Sequence, residues 1–303
     1  MRLKFDRSEL EIVMNGFSCS ENNNESNDNL EIATAAFQHA KTYDRVREHF
    51  SLRSALLVLS KLGILDENGQ ACYEGEEQIT VLEVAAGTGK FTEVLVQALK
   101  DTNIRLIASE PLESMGRVFQ ENYPDVEFIS CASEEIPLPD SSVHCIVAAN
   151  ASHFISNAES YAEMSRVLVP GGGLGYVNLL LDAEVIPWCV EFYKLSVACY
   201  QQTGLYQKLD EYAVDVGWKE ELDNSGKFSK ICEDRSDQFL EETTEEDELE
   251  CLMSYGAFST CEREERMRIR DKLRDILWQN YSGVGKTLNS IPLRSIIFYT
   301  KKL

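Results

Sequence analysis

The stretch from Val81 to Phe91, V-L-E-V-A-A-G-T-G-K-F, constrains this chain most, because an apolar run meets a helical pattern through a turn of very small residues. Ile79 to Val84 has the β-branched character of a buried parallel strand, and Thr92 to Leu99 carries Val94, Leu95, Ala98 and Leu99 at helical spacing. In the turn, Ala85 to Gly89, the two glycines reach backbone angles closed to other residues and let a ligand approach the main chain. The helix that follows offers unpaired N–H groups. The unit predicts an α/β fold with a nucleotide-like ligand over the turn; an ordinary tight turn without a ligand is the alternative.

The loop is too short for a triphosphate cradle and lacks its closing Gly-Lys-Ser/Thr, so Lys90 is not a P-loop lysine. The dinucleotide pattern G-x-G-x-x-G also fails, since Thr92 stands at its third glycine. What remains is acid, x, small, x, Gly, x, Gly, beginning at Glu83. That order resembles motif I of the class I S-adenosylmethionine (SAM) dependent methyltransferases. The resemblance implies that Ala85, Ala86, Gly87 and Gly89 pass beneath the methionine part of SAM while Glu83 orients it. Ala85 stands where the family often has its first glycine.

The downstream chain follows the same order. Arg105 to Ser109 is a second strand ending at Glu110, the position from which an acid binds ribose hydroxyls in such folds. Its other reading is an acid at the start of the next helix. Pro111 and Met115 follow as cofactor neighbours. Val126 to Ser130 is a third strand, and C-A-S-E-E-I-P-L-P-D, Cys131 to Asp140, resembles the family's adenine loop, with Ala132, Ser133 and Glu134 facing the base. Ser133 reads equally as a helix N-cap. Val143 to Ala149 is the fourth strand, with His144 where the family usually has aspartate. It ends in Asn150, Ala151, Ser152, His153 and Phe154, at the edge where an open parallel sheet presents its ligand crevice. Phe154 replaces the family's tryptophan. Glu163 to Leu168 reads as a helix stopped by Pro170 and three glycines, and leads into a fifth strand. The closest resemblance is to the type 11 branch, which includes quinone-biosynthesis and trans-aconitate methyltransferase-like enzymes.

The predicted fold class is therefore α/β, a Rossmann-like seven-stranded and mostly parallel sheet with helices on both faces, N-terminal helices and a helical lid insertion. Residues 1–29 read as a disordered arm, 30–75 as a helical segment over the cofactor site and 76–181 as the SAM-binding core. Residues 182–285 read as a substrate lid and 286–303 as a last, antiparallel strand. Phe228 to Ile231 and Gln238 to Leu240 read as short strands, and Thr244 as the start of another helix. By resemblance, Tyr43 closes on the cofactor and Arg47 on the substrate, although Glu48 breaks the usual Arg-Pro pair. Alternatively, Tyr43 is helix core and Arg47 an exposed charge. Trp188 and Tyr193 are assigned to the pocket lining, with packing in the core as the other reading.

A formal charge of −22, from 29 basic and 51 acidic residues, opposes nucleic-acid backbones and anionic lipid as partners. The acidic block from Glu233 to Glu250 reads as a solvated face. Nine cysteines without a C-x-x-C, four histidines without a cluster, and no apolar run near the ~18 residues of a membrane span suggest a cytoplasmic protein with no metal and no membrane insertion, a monomer or homodimer. For methyl transfer to a small molecule, a carboxylate acceptor needs no base. A hydroxyl needs one, and His153 is the candidate, with a structural histidine as the alternative.

Overall fold

The computed structural model describes residues 40–73, 78–182, 185–186, 188–202, 217–259, 261–281 and 290–303. The arm expected over 1–29 lies outside them. Two helices lead in, α1 (Ala40–Val46) and α2 (Leu52–Lys61), the second capped by the Ser51 hydroxyl, which accepts from the Ser54 N–H. The core then alternates: β1 (Thr80–Val84), α3 (Thr92–Ala98), β2 (Arg105–Ser109), α4 (Glu113–Asn122), β3 (Glu127–Ile129), β4 (Val143–Ala149), α5 (Ser152–Ile155), α6 (Ala158–Val167) and β5 (Leu168–Leu181). After it come α7 (Cys189–Gln202), α8 (Gly217–Asn224), β6 (Cys232–Glu242), α9 (Glu245–Met253), α10 (Gly256–Ser259), α11 (Arg263–Tyr281) and β7 (Ser290–Lys301).

The seven strands form one sheet in the order β3-β2-β1-β4-β5-β7-β6. Pairing is parallel from β3 to β5, and β7 runs antiparallel to both β5 and β6, as expected for the last strand. β1 is buried at every position, which explains its unbroken apolar run. Helices cover both faces: Leu59, Leu95, Phe192 and Leu273 pack in one apolar cluster, Tyr161, Met164 and Trp218 in another.

Three local expectations change. Helix α6 ends at Val167, before Pro170; Leu168 already pairs with Val143, and the register slips before Gly173 meets Cys145. Pro170 and Gly171, the latter at φ 73°, therefore shape an irregular start to β5. Of the two short strands expected, Gln238 to Leu240 lies within the longer β6, whose polar sequence carries no alternation because it is a sheet edge held by backbone pairing to β7, and Phe228 to Ile231 forms no strand. Phe228 makes only an isolated bridge to Lys302. The acidic block is not simply solvated, since Asp237 and Glu248 within it are 1% and 2% exposed. Thr244 does cap α9, accepting from the Asp247 N–H. At His144, the imidazole Nδ1 accepts from the Thr80 N–H at 3.2 Å, which ties β4 to β1. Among the described residues no helix is long and apolar enough to cross a membrane.

Candidate functional site

A cavity of about 390 Å³ opens at the carboxyl ends of β1, β2 and β4. Strand order reverses direction between β1 and β4, and such a switch point leaves a crevice above the sheet. The turn after β1 makes its floor. Ala85 sits at φ 55°, Gly87 at 61° and Gly89 at 94°. A Cβ on Gly87 would meet nothing within 4 Å, whereas one on Gly89 would lie 2.3 Å from the Tyr123 ring. Gly87 lines the cavity and Gly89 does not, so Gly89 serves the packing of α4 under the turn. This corrects the expectation that both glycines admit a ligand.

Two carboxylates face the floor. Glu110, 5% exposed, accepts the Gly87 N–H and the Leu112 N–H, each at 2.9 Å, which locks it beneath the turn. Burial raises its pKa against these two hydrogen bonds. Glu83 is 1% exposed and accepts from the Thr92 hydroxyl at 2.6 Å. Burial pushes its carboxyl up to about 8, so it holds a proton at neutral pH. Thr88, also on the cavity wall, has a buried hydroxyl with no hydrogen-bond partner among the described residues.

The loop after β3 brings Cys131, Ala132, Ser133 and Glu134 to the wall. Ser133 caps no helix; the N-cap of α6 is Asn157, and the Ser133 hydroxyl instead meets that of Ser160 at 2.8 Å. Arg166 clamps the loop's far end, donating to the Leu138 carbonyl at 2.9 Å, the Ile136 carbonyl at 2.8 Å and the Asp140 carboxylate at 2.6 Å. At the end of β4, Asn150 adopts φ 50° and its side-chain oxygen accepts the Leu179 N–H at 2.7 Å.

The opposite wall comes from α1 and the chain beyond it, with Tyr43, Arg47, Glu48 and Phe50, joined by Lys90, Phe91 and Phe154. The Arg47 side chain is 10% exposed, which removes the exposed-charge reading. Its Nε lies 3.3 Å from Glu48, and its guanidinium stacks 3.9 Å above the Tyr255 ring, whose hydroxyl donates to Glu48 at 3.1 Å. Lys90 is 9% exposed, with its Nζ 3.3 Å from Nε2 of His49.

Of the cofactor candidates, Tyr43, Glu83, Ala85, Ala86, Gly87, Glu110, Pro111, Met115, Ala132, Ser133 and Asn150 all line this one cavity. Arg47 and Phe154 line it too; His153, Trp188 and Tyr193 do not. Trp188 is 7% exposed and Tyr193 packs on Phe192 in the core, because α7 turns its aromatic face inward. The His153 ring lies 4.0 Å from that of Phe154, and burial together with the Arg47 charge pushes it down to about 4. Sequence reasoning did not assign Thr88, Phe50, Phe91, Leu112 and Cys131 to the lining, although Thr88, Phe91 and Cys131 lie inside the motifs it singled out and Leu112 follows Pro111. It missed Tyr255 on Arg47 because Tyr255 lies 207 positions along the chain from Glu48, its other partner, a span that no local pattern bridges.

Residues 81–172 match the family model described as a methyltransferase domain. An uncharacterized methyltransferase-like protein of Schizosaccharomyces pombe is 31% identical over 52% of this chain and 56% of its own length. An uncharacterized methyltransferase of Mycobacterium bovis is 39% identical over 37% of this chain and 44% of its own. The demethylmenaquinone methyltransferase of Chlorobaculum tepidum is 30% identical over 33% and 40% respectively. The chain thus spans about half the length of the curated relatives it matches. Among solved structures, a candidate type II methyltransferase of Anaeromyxobacter dehalogenans superposes with a TM-score of 0.55 at 17% identity, over 84% of this chain and 97% of that one, a likeness of fold.

Proposed function

We propose that the chain, whose residues 81–172 match a methyltransferase domain, is a class I SAM-dependent enzyme that binds SAM in the cavity above β1 and methylates a small-molecule acceptor. The observation that carries this reading is the floor of the cavity, where Glu110 is fixed by two backbone N–H groups beside the open face of Gly87. The residues present fit the cofactor. A carboxylate has about four lone-pair positions, so Glu110 keeps two for ribose hydroxyls after its two backbone bonds. The unpartnered Thr88 hydroxyl and the buried Glu83 carboxyl would meet the polar methionine part, and the loop at Ala132 to Glu134 would meet the adenine.

When bound, SAM supplies a methyl group already activated by its sulfonium, so the protein's task is alignment and exclusion of water. Phe50, Phe91 and Phe154 provide a dry wall for an in-line approach. The acceptor atom we assign is a carboxylate or hydroxyl oxygen. The carboxylate is favoured because it attacks without a base, while the imidazole of His153, held near 4 and off the cavity wall, is a weak proton acceptor at pH 7. The charge of −22 supports a small molecule over a nucleic acid. A quinone-type acceptor is the second reading, supported by the demethylmenaquinone relative and the aromatic wall.

The test is to measure SAM binding by calorimetry and then incubate the protein with methyl-labelled SAM and panels of carboxylic acids, phenols and quinols. Label entering a carboxylate ester is the expected result; label on quinol carbon supports the second reading. Binding without any labelled product removes the enzyme, and absence of binding removes the cofactor assignment as well.

A further inference from the structure

Lys90 follows the glycine turn, yet the loop is not a phosphate cradle, and the methyltransferase reading leaves this residue without a task. The structure gives it an unusual setting. It is 9% exposed and lines the cavity, so its ammonium is largely taken out of water. Its Nζ lies 3.3 Å from Nε2 of His49, while Nδ1 of the same ring lies 3.0 Å from Oε2 of Glu93. The backbone N–H of His49 donates to Glu241 at 2.8 Å, which fixes the residue from a second side. With the Nδ1 proton given to Glu93, the Nε2 lone pair accepts from Lys90. The imidazole thus engages one of the three ammonium N–H donors.

Among the described residues no carboxylate makes direct contact with the ammonium. Asp44, Glu48, Glu93 and Glu241 act on Lys90 through space, but among the described residues none of them forms an ion pair with it. Arg47, the other cation on this wall, is already matched by Glu48 and stacked on Tyr255. A desolvated ammonium with two donors unpaired among the described residues is completed by an anion, and the two oxygens of a carboxylate suit it. The four nearby acids oppose a doubly charged phosphate more strongly than a singly charged carboxylate. Resting on the methyltransferase reading, we propose that Lys90, aimed by His49, is the carboxylate-binding post of this cavity.

The carboxylate belongs either to the acceptor or to the methionine part of the cofactor, and calorimetry separates the two. The ligands are S-adenosylhomocysteine, methylthioadenosine, which lacks the amino-acid part, and succinate added to protein loaded with S-adenosylhomocysteine. If the post serves the acceptor, Lys90→Met weakens succinate binding about ten- to hundredfold and leaves both adenosine ligands as they were. If it serves the cofactor, the same variant weakens S-adenosylhomocysteine by that factor and spares methylthioadenosine. Lys90→Arg keeps the charge and retains most of the affinity in either case. His49→Gln, which still offers an acceptor to Lys90, outperforms His49→Leu. Equal affinities for all three ligands in wild type and a natively folded Lys90→Met overturn the proposal. If wild type binds neither adenosine ligand, the SAM reading falls on its own. Succinate titrated into the free protein then decides the post: binding lost in Lys90→Met supports it, and no binding overturns it.

Discussion

Ala85 and Glu83 show how much strain and desolvation two residues at a strand end can hold. Ala85 occupies φ 55°, a left-handed conformation that costs a residue with a Cβ about 1–2 kcal/mol. Ala85→Gly relieves this and loses part of the gain to a more flexible unfolded chain, a net stabilisation of about 0.5–1 kcal/mol. The expected readout is an unfolding midpoint higher by about 1–2 °C; a lower midpoint would show that the turn is unstrained. Glu83, pushed up to about 8 by burial, gives a pH signature. Between the ordinary value of 4.5 and about 8 the folded protein keeps a proton that the unfolded chain releases. Its contribution to stability is therefore complete below that window and is lost as pH rises through it. Glu83→Gln removes this slope, so thermal unfolding from pH 5 to pH 8 should show wild type losing stability faster than the variant. Parallel curves would place the proton elsewhere.

Arg166 shows how an element outside the cavity shapes it. From the last turn of α6 it ties down the carbonyls of Ile136 and Leu138, while Glu163 one turn earlier accepts the Ile136 N–H at 2.9 Å. The loop these groups hold is the one whose first half, Ala132 to Glu134, lines the cavity. Arg166→Ala leaves the half-buried Leu138 carbonyl without its donor and the Ile136 carbonyl with only the Leu138 N–H, at a cost of about 1–3 kcal/mol. It should also weaken methylthioadenosine several-fold in calorimetry; unchanged affinity would mean that the loop keeps its shape without the clamp. The helix carrying Arg166 was legible in the sequence, but its end was not. Proline and glycine mark where a helix cannot continue, whereas α6 stops earlier because Leu168 is already taken up in pairing with Val143.

At the scale of the whole molecule, β7 joins β6 to the parallel core of the sheet. Inserted between β5 and β6, it brings Arg294 to Asp182, with nitrogen–oxygen distances of 3.1 Å and 3.2 Å, where Gln238 of β6 also donates at 2.8 Å. Asp182 is 3% exposed and Arg294 15%, so the pair is buried and cannot be broken cheaply. Arg294→Met strands a carboxylate and should cost about 3–5 kcal/mol in denaturant unfolding, while adding Asp182→Asn recovers much of the loss. A double-variant cost equal to the sum of the Arg294→Met and Asp182→Asn costs would show that the pair is not coupled.

The sequence alone determined the alternation of strands and helices, the glycine turn, Glu110 and the antiparallel last strand, because each rests on local periodicity or on spacing within one unit. The core therefore reads directly from residue order. Only the tertiary structure decided what the flanking segments do. It turned Trp188 and Tyr193 into the core, moved His153 off the cavity wall, buried Asp237 and Glu248 out of an acidic run, and set Tyr255 on Arg47. Lys90 illustrates the reason. Its motif excluded one ligand without suggesting another, since the imidazole that aims it and the carboxylates around it come from α1, the chain after it, α3 and β6, elements that meet only when the sheet closes.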